Sequence, residues 1–235
     1  MRSESRPALA AAVLAAALVA ASGTPAHAVT IDSFEDGDFT ITAVYGDPQV
    51  AAEQSGLTGA AGGVRLVTAV AGGAGPVGSG AASLATTAAD DGVLLSTLGY
   101  AVNTDFQFVY DGVSNGVNDT NSGSLNLDLS PFTAIQIDSV GVVDGVSAHL
   151  SVWTKSGTGF GFTLPFTSGV MLLPLDGFAL NLNSVKAIRI RLNDIDATDV
   201  LTITNISAVP EPGTALLLAA GLLGLALGRE RAGAR

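Results

Sequence analysis

The sequence predicts an all-β fold, an antiparallel β-sandwich or barrel, set between two apolar terminal segments. Three observations predict it. Between residues 29 and 208 the apolar residues recur with a period of two, not with the helical period of about 3.6. Asx-Gly and Ser-Gly pairs stand between those runs, and such pairs supply the positive φ of tight turns. Each end of the chain carries an apolar run next to arginines, which is targeting chemistry rather than core.

The first element lies outside the fold. Arg2 and Arg6 open the chain, residues 8–21 are apolar without a charge, and Ser22, Gly23 and Pro25 break the run. Ala26 and Ala28, with His27 between them, put small residues at the two positions a signal peptidase reads. This three-part layout predicts a signal peptide over residues 1–28 and a mature chain that begins at Val29. The alternative is an uncleaved anchor, but the run is short against the ~20 residues of a spanning helix.

The second element is the β-domain, residues 29–208. Leu125, Leu127 and Leu129 alternate with polar residues, as do Ile135 and Ile137, then Leu150 and Val152. The pattern is best over residues 185–192, with Ile188, Ile190 and Leu192 on one face and Arg189 and Arg191 on the other. Leu201 and Ile203 continue it. Period two is what a strand with one wet face requires. Turn pairs fall at Asp36-Gly37, Asp111-Gly112, Asn115-Gly116, Asp144-Gly145, Ser156-Gly157 and Asp176-Gly177. Residues 51–89 read differently, being rich in Gly and Ala, and only residues 64–70 resemble a strand there. That stretch is expected to be loop-rich and linker-like. A phosphate-binding loop is the sharper alternative, but no Lys follows the glycines and no helix opens after them.

Charge and composition exclude several functions. Residues 29–209 hold 18 acids against 5 bases, a net charge of −13. A nucleic-acid partner needs a basic domain, so none is expected. The same acids leave carboxylates free for divalent cations. The chain has no cysteine, so an exported domain must hold together without disulfides, and thiol chemistry is excluded. His149 is the one histidine of the mature chain and no Gly-x-Ser-x-Gly motif is present, so neither a zinc site nor a catalytic constellation is expected. With 18 acids some pair always resembles a glycosidase couple, but spacing in sequence cannot place two carboxylates at the required separation. Trp153 is out of phase with Leu150 and Val152. It is a candidate sugar-stacking platform if it faces outward, and a largely buried sandwich-edge tryptophan otherwise.

The last element is residues 209–235. Pro210, Glu211, Pro212 and Gly213 cannot continue a strand, because the prolines remove donors and fix φ. Residues 214–228 are apolar and predict a transmembrane helix, and Arg229, Arg231 and Arg235 form a basic tail that stays cytoplasmic. Val209, Pro210, Glu211 and Pro212, followed by the apolar segment and the arginine-rich end, resemble the PEP-CTERM sorting signal of Gram-negative bacteria. That resemblance covers about the last 27 residues. It implies export, a passing membrane anchor through the C-terminal helix, and removal of the tail by an exosortase, after which the protein resides in the cell envelope or outside the cell. A plain anchor and a GPI signal are the alternatives. The polar spacer and attachment site of a GPI signal are not evident, and the basic terminus argues against it.

The middle has a resemblance of its own. Ile31, Phe34 and Phe39 around Asp36-Gly37 resemble the opening strand of a jelly-roll, galactose-binding-like domain, and residues 184–188 and 201–206 resemble its closing strands. The resemblance implies first and last strands close together, with a calcium ion often between them. It makes Glu35 and Asp199 the first candidate ligands, with Asp36 and the carbonyl of Gly37 next. Solvated turn acids are the alternative. The two resemblances together imply a non-enzymatic structural or adhesive role in exopolysaccharide or biofilm, with signal peptidase and exosortase as processing partners. A carbohydrate-binding module is the alternative, and a secreted hydrolase with acidic residues stands behind it.

Overall fold

A computed structural model of the chain describes residues 27–36, 38–73, 80–87, 92–98, 102–114, 123–176, 181–197 and 199–210. Most of the signal peptide with Ala26, and also Gly37, Glu211, Pro212, residues 214–228, Arg229, Arg231 and Arg235, lies outside the described residues. Among the described residues no helix is long and apolar enough to cross a membrane. The compact unit that carries the strands runs from Ala28 to Pro210.

Its strands are β1 (Val29–Asp32), β2 (Phe39–Val44), β3 (Val50–Ser55), β4 (Val64–Gly73), β5 (Ala81–Thr87), β6 (Gly92–Leu98) and β7 (Val102–Tyr110). There follow β8 (Phe132–Val142), β9 (Ser147–Thr154), β10 (Gly157–Pro165), β11 (Gly169–Pro174), β12 (Val185–Asp196) and β13 (Val200–Pro210). Two short 3-10 turns, Ala61–Gly63 and Leu182–Ser184, are the helical content of the described residues. One sheet has the order β11-β8-β13-β6-β5-β2, with β1 also on β13, and the other has the order β10-β9-β12-β7-β4-β3. Every pairing is antiparallel.

The last eight strands give the topology its name. β6, β13, β8 and β11 lie side by side in one layer, and β7, β12, β9 and β10 in the other. Two Greek keys folded across two layers in this order make a jelly roll. The expected all-β jelly-roll sandwich is therefore the fold, and its first and last strands do pair, Val29 opposite Ala208 and Thr30 opposite Ser207.

Alternation decides what each strand buries. β12 turns Ile188, Ile190 and Leu192 into the space between the sheets, where β9 adds Leu150 and Val152 and β7 adds Phe106 and Phe108. From the other layer Ile135, Ile137, Ile203 and Ile206 close the core. At about 25 cal/mol per Å² of apolar surface, such side chains each contribute roughly 1.5–3 kcal/mol, which suits a chain with no disulfide.

Two expectations need correction. Residues 51–89 are not mainly loop, since β3, β4 and β5 occupy much of that stretch. The small residues there serve packing. Ala69 and Ala82 are fully buried, and Ala69 sits in register beside Phe106, so a small side chain meets a large one. The second correction concerns Leu125, Leu127 and Leu129. They form an extended segment with a single bridge, Leu127 to Val185, rather than a strand. Asn126 takes a positive φ of 51°, which breaks the pleat between the first two leucines.

One charged cluster lies inside. Asp32 and Arg65 are each 1% exposed, and Arg65 Nη1 donates to both Asp32 oxygens at 2.7 and 2.8 Å. The Phe34 amide (2.9 Å) and the Tyr110 hydroxyl (2.8 Å) also donate to Asp32. Arg65 Nε and Nη2 donate to Gln54 Oε1, and the guanidinium lies 4.9 Å from the Phe34 ring centroid. Burial pushes the Asp32 carboxyl up, while Arg65, the Phe34 amide and Tyr110 pull against it. Burial, and then the Asp32 charge, hold the Tyr110 hydroxyl well above its ordinary value. The cluster ties β1 in one layer to β4 and β7 in the other.

Candidate functional site

The outer faces of the two sheets differ. On the seven-stranded sheet Val140, Val142, Val170, Leu172, Leu94 and Val200 stand exposed. The six-stranded sheet presents polar and cationic side chains. In the phase opposite to its core residues, β9 carries Ser147, His149, Ser151 and Trp153, β12 carries Arg189, Arg191 and Asn193, and β7 carries Asp105 and Gln107. Register places these in rows. Arg189 is opposite Ser151, Arg191 lies between His149 and Gln107, and Asn193 is opposite Ser147.

Local contacts fix the side chains. Arg189 Nη2 donates to Ser151 Oγ at 3.2 Å, and its guanidinium lies 4.8 Å from the Trp153 ring centroid. Arg191 pairs with Asp105. Asn193 Nδ2 donates to Ser147 Oγ at 3.3 Å, and His149 Nδ1 lies 3.2 Å from Thr163 Oγ1 on β10. One end of the face is built by the segment after residue 122. Leu125 N donates to the Lys186 carbonyl, and a Cβ on Gly123 would come within 2.3 Å of that same oxygen, so only glycine allows this approach. Gly123, Ser124, Asn126, Lys155, Ser184 and Lys186 line a shallow pocket of about 330 Å³ there.

Among the described residues, four buried side-chain polar atoms have no hydrogen-bond partner: Ser33 Oγ, Gln107 Nε2, Arg189 Nε and Asn193 Oδ1. Three of the four are on this one face. An unmade hydrogen bond of this kind costs about 1–3 kcal/mol, and folded proteins seldom keep several together. Two are donors and one an acceptor. A sugar hydroxyl, which both gives and takes, matches that mixture.

His149 belongs to the same face, and burial first, then Arg189 and Arg191, hold its imidazole below its ordinary value. As pH falls through about 6.5 the unfolded chain takes up a proton that the folded chain resists. This group therefore costs stability below that pH and nothing above it. The expected result is that His149→Gln becomes stabilising relative to the parent as melting is followed from about pH 7.5 to about pH 5. A difference independent of pH would remove this role.

The sequence-predicted residues are placed as follows. Trp153 is on the outer side of β9, as its phase implied, but it is 7% exposed and one side of its ring meets Arg189. Glu35 is exposed. The Asp36 carboxylate accepts from the Gly59 amide and from the Thr58 hydroxyl (2.9 Å), and the Gly59 bond foremost draws its pKa down. Asp199 is 2% exposed and accepts from the Asp144 amide at 2.8 Å and the Asp196 amide at 2.9 Å. Asp36 and Asp199 thus spend their oxygens on separate turns. Among the described residues no group of three or more His, Asp or Glu is placed to hold a metal ion. Ala28 precedes β1 directly, and Val209 and Pro210 are the last two residues of β13, beside Ala134 and Phe132 of β8.

Sequence reasoning missed Gln107 and Asn193 as site residues. It also missed the inward turn of Asp32 and Arg65. The signal for Arg65 was there, because it is in phase with Val67 and Ala69 on an otherwise apolar strand.

The C-terminal reading has a direct match. The family described as the PEP-CTERM protein-sorting motif matches residues 208–232. The chain thus pairs a jelly-roll sandwich with the sorting motif of exported proteins. It is similar in structure to the family 11 carbohydrate-binding module of the cellulosomal cellulase Lic26A-Cel5E of Clostridium thermocellum. The identity is 14% and the TM-score 0.39, over 80% of this chain and 96% of that one. A family 11 module from the same organism, in complex with a β-1,3-1,4-mixed-linked tetrasaccharide, matches at 15% identity and TM-score 0.37, over 78% of this chain and 95% of that one. The enzymatically active domain of tailspike protein 4 of bacteriophage CBA120 matches at 9% identity and TM-score 0.29, over 75% of this chain and 20% of that one. No curated protein matches the chain. The case for a ligand rests on this chain's own outer face.

Proposed function

We propose that the mature chain is a non-enzymatic protein of the cell envelope or extracellular matrix, and that it holds polysaccharide on the outer face of its six-stranded sheet. Signal peptidase would cut after Ala28, and an exosortase would act at the motif of residues 209–213 while the C-terminal helix holds the membrane. The sorting motif supports the destination. One observation carries the binding reading: Gln107 Nε2, Arg189 Nε and Asn193 Oδ1 are buried, unpartnered and on one face. Trp153 serves as a wall of that face, with Arg189 over its ring.

The test is affinity electrophoresis of the mature protein against a panel of soluble polysaccharides. At least one polymer should retard it. Gln107→Ala and Asn193→Ala should each weaken that binding about tenfold, equivalent to ~1.4 kcal/mol, with the fold retained. A panel without retardation overturns the binding reading, and release of new reducing ends overturns the non-enzymatic one. Processing is read separately from the intact mass of protein recovered from its host. A chain from Val29 to the Pro-Glu-Pro motif is expected, and one still ending at Arg235 would make the segment a plain anchor.

A further inference from the structure

We infer that the polymer held on this face carries carboxylate groups, as in a polyuronate; the inference rests on the polysaccharide-binding reading above. The compact unit Ala28–Pro210 is strongly acidic, yet its five basic residues are not scattered. Arg65 is consumed inside by Asp32. The other four, Lys155, Lys186, Arg189 and Arg191, all fall on β12 or at the turn that follows β9. At about 3.4 Å per residue, the step from Lys186 to Arg191 spans roughly 17 Å along one strand.

Arg189 is the centre of this row. Among the described residues it makes no ion pair, and its nearest titratable neighbours are the Arg191 guanidinium on its own strand and the His149 imidazole on β9, which is held toward its neutral form. Acids near this face are engaged elsewhere: Asp105 with Arg191, Asp194 with Asn103, and Glu53 on β3 with Ser114. A guanidinium half-withdrawn from water, placed over the Trp153 ring and without a counter-ion, is arranged for a planar anion. Its Nε is likewise without a hydrogen-bond partner among the described residues. The Gln107 and Asn193 amides, which flank Arg191 further along the same face, suit the hydroxyls of neighbouring sugar units of the polymer. A neutral glycan would satisfy the amides and leave the arginine uncompensated.

The experiment compares polygalacturonate with the same polymer after reduction of its carboxyl groups to alcohols, using the mature protein and isothermal titration calorimetry. The acidic polymer should bind at least tenfold more tightly than the reduced one, and that preference should shrink as salt is raised from about 20 to about 300 mM. Arg189→Gln should abolish the preference. Arg189→Lys, which keeps the charge but loses the fork, should recover only part of it. Arg191→Gln, at a more exposed position, checks the result should the Arg189 variants fail to fold, and should reduce the preference severalfold. Equal affinity for both polymers, with Arg189→Gln without effect on their ratio, overturns the carboxylate assignment and leaves polysaccharide binding standing. No binding to either polymer or to any glycan of the wider panel overturns both.

Discussion

Arg65→Met should cost the fold about 3–5 kcal/mol, because it strands the Asp32 carboxylate in the interior without its cation. In a unit of this size each kcal/mol moves Tm by roughly 2–4 °C, so a fall on the order of 10 °C is expected. The double variant Asp32→Asn with Arg65→Met should recover part of that loss, since it removes the buried charge as well as its partner. Tyr110→Phe deletes one hydrogen bond to the same carboxylate and should cost about 1.5–3 kcal/mol. Urea titration of the three variants reads the comparison. A loss below about 1 kcal/mol for Arg65→Met would mean that Asp32 is neutral or reached by water, and would remove the cluster as the tie between the layers.

Gly141→Ala is the second substitution with a large expected effect. Gly141 has a φ of 143°, a region that side chains rarely enter, which alone costs about 1–3 kcal/mol. Its would-be Cβ lies 1.9 Å from the Val200 carbonyl oxygen and 3.1 Å from the Leu201 Cα. Neither is the end of a movable side chain, so β8 and β13 must part where Gly141 faces Leu201. The total expected loss is roughly 3–5 kcal/mol, at the upper end for a single substitution. Gly145→Ala is the control. It also has a positive φ (73°) but nothing within 4 Å of its Cβ, and should lose only about 1 kcal/mol. Equal losses at the two positions would show that backbone strain, not the β8–β13 approach, sets the cost.

What was legible in the sequence follows from how local each signal is. Alternation over residues 185–192 told which way Arg189 and Arg191 point, because period two needs no knowledge of the partner strand. The sorting motif was legible for the same reason, being contiguous. The stretch 51–89 was misread because Gly and Ala are poor strand formers by composition, whereas Ala69 earns its place only beside Phe106, 37 positions further on. Arg65 meets Asp32 across 33 positions and Tyr110 joins them from β7, so the phase of Arg65 hinted that it turns inward but nothing local named its partners. The candidate face is also non-local. Gln107, Arg191 and His149 become one row only when β7, β12 and β9 are side by side.

The placing of β13 bears on how the domain would carry a load. It is paired to β8 from Val200 to Pro210 on one side, and on the other to β6 over its first residues and to β1 over its last. Those hydrogen bonds lie across the strand. A tension applied at Pro210 runs along it, so the bonds on both flanks are sheared together instead of peeling one by one. The cationic face belongs to the opposite sheet, so the pull of a bound polymer would reach β13 through the packed interior between the layers. The strand next to the sorting motif is thus the one best seated to act as a clasp under tension.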